Sequence, residues 1–142
     1  MASPGFAGRS PDAEVTRAWD AVRRARDAAV DLLRARWEKR TRVTGADVDD
    51  AARAVIRDAG YGEWFVHRTG HSIDRDLHGS GPHLDNFETG DDRQLVAGIG
   101  FSVEPGIYLA ERFGIRSEIN VFLGETGPEI TPRDPQRDLM LV

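Results

Sequence analysis

WFVHRTGHSIDRDLH, residues 64–78, is where this chain changes from one kind of structure to another. Before it, apolar residues recur every three or four positions. From Trp64 onward they fall in short β-rich runs bounded by glycine, as in GIGFSVEPGIYLAE (98–111) and GIRSEINVFLG (114–124). Helices therefore come first and strands second, which makes the fold class α+β. The same stretch carries His67, His71 and His78, and the runs after it carry Glu104 in EPG and Glu118 in RSE.

On the N-terminal side, Ser10 reads as a helix cap, with Pro11 at the first helical position and Asp12 and Glu14 in the first turn. Val15, Trp19, Val22, Ala29 and Leu33 then mark one long amphipathic helix to about residue 37. Arg23, Arg24, Arg26, Arg34 and Arg36 are interleaved with that stripe and read as its solvated face. Thr44 and Asp47 form a capping box ahead of Val48, Ala51, Ala52, Val55 and Ile56, and Gly60 stops this second helix. Residues 1–10 read as a flexible N-terminus and 11–142 as a single domain. Residues 78–92 read as an ordered loop and the chain beyond Gly124 as a turn and a tail.

Composition narrows the function. A chain of 142 residues with 39% hydrophobic and 30% charged content is long enough to bury a core. Its net charge of −5 gives no field that would attract nucleic acid or an anionic membrane. No apolar run approaches the roughly 18 residues a membrane span requires. Cysteine is absent, which removes thiolate chemistry and fits a cytoplasmic protein. Any bound metal must use nitrogen and oxygen ligands.

A metal that activates water needs neutral imidazole and carboxylates aimed at one point. His71, Glu104 and Glu118 lie in or beside different strand runs, and adjacent strands bring distant residues together. His67 and His71 share a face if their strand stays extended, although Gly70 permits a bulge. His78 falls at or beyond that strand's end, within reach of the same pocket as a donor or proton carrier. Each residue also has an ordinary reading: a core histidine, a strand-end carboxylate, an exposed Arg116–Glu118 pair of small energetic value. The ordered combination is what raises a metal site above these.

HRTGHSIDRDLH, FSVEPGIY and FGIRSEINVF closely resemble the catalytic half of the pita-bread metallopeptidases: Xaa-Pro aminopeptidase, prolidase, methionine aminopeptidase and creatinase. The Xaa-Pro aminopeptidase and prolidase branch fits best, over about residues 10–135. The resemblance implies two N-terminal helices followed by an antiparallel curved sheet, half of a pita-bread fold. It implies His71, Glu104 and Glu118 as metal ligands, with Glu118 bridging two metals. It also implies that His67 and His78 contact substrate and stabilise the tetrahedral intermediate, while Arg116 orients groups around the bridging carboxylate. Manganese, cobalt, iron or zinc is the implied cofactor, and a peptide with proline at its second position the implied substrate.

Two departures from that pattern shape the expectations. Asp74 stands where many members have glycine, and its expected place is a solvated loop edge. The family's two aspartate ligands precede the first helix on a hairpin, and no aspartate precedes Asp12 here. Asp12 itself reads as a first-turn residue. The expectation is one ion rather than two, weak or absent peptidase activity from these residues alone, and a homodimer or partner chain completing a sheet that otherwise ends in an unpaired edge. The alternative is a non-catalytic peptide- or protein-binding module on the same scaffold.

Overall fold

A computed structural model describes residues 5–6 and 12–141. The elements are β1 (Gly5–Phe6), α1 (Ala13–Lys39), α2 (Gly45–Asp58), a 3-10 turn at Gly62–Trp64, β2 (Ser72–Ile73), β3 (Gly100–Val103), β4 (Gly106–Leu109), β5 (Phe113–Arg116), β6 (Ile119–Gly124), β7 (Gly127–Thr131) and β8 (Met140–Leu141). Helices precede the main sheet, as the periodicity requires.

The cap of α1 is Asp12, whose carboxylate accepts from the Val15 amide at 2.9 Å. Asp12 is thus the N-cap rather than a first-turn residue, and Ser10 and Pro11 lie outside the described residues. Val15, Trp19, Val22, Ala29 and Leu33 are buried as the spacing indicates. Arg26 is not on the solvated face: only 2% of it is exposed. Its Nη1 donates to Ser117 Oγ at 3.0 Å and to the Gln136 carbonyl at 2.8 Å, and its Nε donates to Asp27 at 3.0 Å. The Thr44–Asp47 capping box opens α2, with both reciprocal bonds present.

The two helices pack on each other and α1 also lies against β4, β5 and β7. The larger sheet has the order β2-β3-β6-β7, all antiparallel, and β4-β5 forms a two-stranded hairpin. Phe101, Val103, Ile119, Val121 and Leu123 point into the helix-covered core. The alternate positions Ile73, Gly100, Ser102, Asn120 and Phe122 share the other face by register, and Phe122 there is exposed.

Three expectations change. The run 64–73 is a strand only at Ser72–Ile73, because a 3-10 turn and a close approach at Gly70 intervene. A side chain at residue 70 would meet the Ser102 carbonyl oxygen at 1.8 Å, so only glycine lets the two backbones come this near. The segment after Gly124 is not a tail but β7, which pairs with β6 from Gly124↔Gly127 to Asn120↔Thr131. Further on, β8 pairs in parallel with β1, so residues 5–6 of the expected flexible N-terminus are in a sheet. The loop 78–92 is irregular as expected, pinned by isolated bridges Gly70↔Leu84 and Asn86↔Gly90.

Candidate metal centre

Pro105 has no amide hydrogen, so the ladder between β3 and β6 is interrupted beside Glu104. The register nevertheless continues unchanged: Val103 faces Ile119 on one side of the break and Gly106 faces Arg116 on the other. The Ser117 amide donates to the Pro105 carbonyl within the gap, at 3.3 Å. Glu104 therefore stands directly opposite Glu118. Opposed residues in such a pair have Cβ atoms roughly 5 Å apart, which places two carboxylates at the bend of one sheet face.

His71 joins them from the other neighbour of β3. The Ser102 amide donates to the His71 carbonyl at 2.9 Å and the Glu104 amide to the Thr69 carbonyl at 2.6 Å, so pairing with β3 continues back past β2. The His71 ring is buried, with Nε2 at 3.2 Å from Glu104 Oε1. Its Nδ1 lies 3.0 Å from the Ser72 carbonyl, which accepts only, so Nδ1 carries a proton, and a neutral ring would then present an Nε2 lone pair to Glu104. In that form two acceptors face each other, an arrangement that suits a cation between them. Ser102 Oγ accepts from the His71 amide at 3.0 Å and donates to Glu104 Oε1 at 3.1 Å, joining the two segments through one buried hydroxyl.

The remaining expected residues are arranged around this pair. The exposed His78 ring lies 4.3 Å from the His71 ring, centroid to centroid. Arg116 Nη1 is 3.7 Å from Glu104 Oε2, so the guanidinium lies beside the Glu104 carboxylate. His67 sits apart from His71, with Nδ1 at 2.7 Å from the Arg68 carbonyl and Nε2 at 2.8 Å from the Tyr108 hydroxyl. Burial pushes the Tyr108 hydroxyl above the usual phenol range, and the charge and hydrogen bond of Arg116 pull against it. His67, Tyr108, Arg116, Glu104 and His71 thus form a continuous line of polar contacts. Glu118 is half-buried, and the register brings it to the line. Among the described residues no three metal-binding side chains converge on one point.

Tyr108 was not anticipated from sequence, although it lies four residues after Glu104 in the EPGIY run and its alternation with Glu104 and Gly106 puts it on the same face. His83 was also missed. Its Nδ1 accepts from the Ser72 amide at 2.9 Å, and burial lowers its pKa, with nearby Arg68 adding to the effect. Asp74 does lie at an exposed loop edge, where its carboxylate accepts from the Asp76 and Ser80 amides and is held below the usual carboxylate range by those bonds.

Residues 5–125 match the profile of metallopeptidase family M24. The chain belongs to the M24 metallopeptidase family. A probable dipeptidase PepE of Mycobacterium bovis is 41% identical over 117 residues, which cover 82% of this chain and 28% of that protein. The crystal structure of dipeptidase PepE from Mycobacterium ulcerans matches 99% of this chain and 34% of its own length, with a TM-score of 0.80 and 41% identity. An X-Pro aminopeptidase from Thermotoga maritima matches with a TM-score of 0.78 and 35% identity, again over 99% of this chain and 36% of its own. This M24 chain therefore spans about a third of the length of these relatives, and the shared part is the two helices and the antiparallel sheets described above. No described helix is long and apolar enough to cross a membrane.

Proposed function

We propose that this chain supplies the imidazole and glutamate side of a divalent-metal site that hydrolyses peptides with proline at the second position. The observation that carries the reading is the opposition of Glu104 and Glu118 across one unbroken register, with His71 Nε2 at 3.2 Å from Glu104 on the same face. The names of relatives, a dipeptidase and an X-Pro aminopeptidase, support the peptide class. One nitrogen and two carboxylate donors suit manganese, cobalt, iron or zinc alike, and would hold one ion with water in its remaining positions. A bound divalent ion would supply Lewis acidity and lower the pKa of a coordinated water.

The chain's own residues have the following roles in this reading. Ser102 keeps the Glu104 carboxylate turned toward His71, and the Ser72 carbonyl fixes the His71 tautomer. Arg116 sets the second oxygen of Glu104 and, with Tyr108, extends the polar line to His67. His67, with Nδ1–H committed to a carbonyl, presents Nε2 to the Tyr108 hydroxyl, a pair suited to donating to a developing oxyanion or moving a proton. His78, exposed beside His71, would meet substrate from the solvent side. The uncovered sheet face with exposed Phe122 fits a second copy or a partner chain; sedimentation giving a stable monomer at micromolar concentration would remove that element.

Thermal unfolding with and without manganese, cobalt or zinc tests the metal. An ion at a hundred times its dissociation constant stabilises by about 2.7 kcal/mol. The midpoint should rise by several degrees, and His71→Ala should abolish the rise while leaving a cooperative transition. No rise with any of the three ions, or a rise that survives His71→Ala, overturns the assignment.

A further inference from the structure

The segment from Phe65 to Thr69 bends at residues 67 and 69 and lies outside the strands, so most of its backbone polar groups need partners other than a ladder. Two side chains of α2 supply them. Arg53 donates through Nη1 to the Phe65 carbonyl at 2.9 Å and through Nη2 to the His67 carbonyl at 2.8 Å. Asp49, fully buried, accepts from the Thr69 amide at 2.9 Å and the Thr69 hydroxyl at 2.6 Å. Its other oxygen accepts from the Asn86 amide at 2.9 Å, tying in the loop beyond. The two side chains also pair with each other one helical turn apart, at 3.2 Å.

The guanidinium is held from both sides, with its carbon 4.1 Å from the Phe65 ring centre and 4.6 Å from that of Phe87. A planar fork fits this slot as an ammonium does not, because it serves two carbonyls and a carboxylate while stacking between rings. From these contacts we infer that Asp49 and Arg53 are positioning residues for His67. They take the place of a neighbouring strand, fix the backbone at 65, 67 and 69, and so set where the His67 ring meets Tyr108. The inference rests on the reading that His67 serves the reaction proposed above. It also makes the exposed Phe87 a functional contact, since that ring closes the slot from the solvent side.

Imidazole nitrogen NMR of the full chain tests this without requiring turnover. His67 is assigned by the signal lost in His67→Gln. In the unaltered protein it should show one tautomer, with Nδ1 protonated. Arg53→Lys keeps the charge but cannot span both carbonyls, so the two His67 nitrogen signals should move toward each other as the ring samples both tautomers. His83, held by the Ser72 amide, should stay in place as the internal reference. If Arg53→Lys does not fold by circular dichroism, Phe87→Ala gives the same readout, with a smaller shift of the same sign. His67 signals unchanged in a folded variant, or all histidines moving together, would overturn the inference. Adding zinc separates it from the metal assignment: a zinc-dependent change at His71 reports the metal, whereas the His67 response to Arg53→Lys is read in metal-free protein.

Discussion

Replacing Arg26 by alanine should be among the most destabilising single changes in α1, although its charge alone suggests a solvent-facing residue. Arg26 is 2% exposed and makes two long-range charge-assisted hydrogen bonds, to Ser117 Oγ and to the Gln136 carbonyl. Each such bond contributes roughly 1.5–3 kcal/mol. The ion pair with Asp27 adds little, because that carboxylate is 45% exposed and rehydrates when its partner is gone. The loss should therefore be roughly 3–5 kcal/mol, the range expected when a buried charged group's contacts are broken. For a domain of this size that corresponds to a fall in Tm on the order of 10 °C. Urea unfolding followed by tryptophan fluorescence is well suited, since Trp19 is buried and its indole nitrogen donates to the Arg137 carbonyl, next to Gln136. Loss of less than about 1 kcal/mol, with an unchanged denaturant slope, would show that the Ser117 and Gln136 bonds contribute no net stability.

Thr44→Ala removes one half of the α2 capping box and should cost about 1 kcal/mol, read as a parallel shift of the urea curve; no shift would mean the box is redundant. Gly70→Ala forces a methyl group against the Ser102 carbonyl, so the variant should unfold several degrees lower and lose its metal response; an unchanged midpoint would refute the close approach. Asp91, held down to about 2 first by its Arg93 hydrogen bonds, has a depressed folded-state pKa. Its contribution is present above its ordinary pKa near 4 and is lost as pH falls from about 4 toward 2; because Arg93 is half exposed, about 1–2 kcal/mol is a fair figure. Asp91→Asn should therefore lower stability at pH 7 and leave it nearly unchanged at pH 2. His83, also depressed by burial, should favour the folded state above its ordinary pKa near 6.5 and lose that contribution as pH falls below it, and His83→Gln should flatten this part of the pH–stability curve.

What could be read from sequence was what local chemistry decides. The capping box and the change of period at Trp64 depend on neighbours in the chain, and the two helices and the later strands followed from them. The strand β7 was missed because Pro128 and the flanking glycine read as a turn. An edge strand tolerates proline, whose missing donor can face solvent. Arg26 was misread although it continues the stripe through Val22, Arg26, Ala29 and Leu33. A charged residue inside an apolar stripe is the available signal for a buried pair. Asp49 and Arg53 show the same signature beside Val48, Ala52 and Ile56.

These buried and half-buried polar residues share a placement that packing alone does not require. Arg26 reaches from α1 to Ser117, the residue before Glu118. Asp49 and Arg53 reach from α2 to the backbone of residues 65–69, just before His71. Each helix thus sends charged side chains through the core to a segment adjoining one proposed metal ligand, and both segments lie where ladder pairing is broken, at Pro105 or ahead of β2. Apolar substitutes for buried ion pairs are often neutral or stabilising, so stability is a weak reason for their presence. Positioning is a stronger one. Ladder hydrogen bonds cannot orient Glu118 or His67 at breaks in the sheet, and a guanidinium or carboxylate fixed in a helix can. Arg26→Met separates the two explanations: it should lose less stability than Arg26→Ala yet weaken the metal-dependent rise in Tm as much, because the stem still packs but the Ser117 hydroxyl, next to Glu118, loses its guanidinium partner. If Arg26→Met keeps the full metal response, the arginine is there for packing alone.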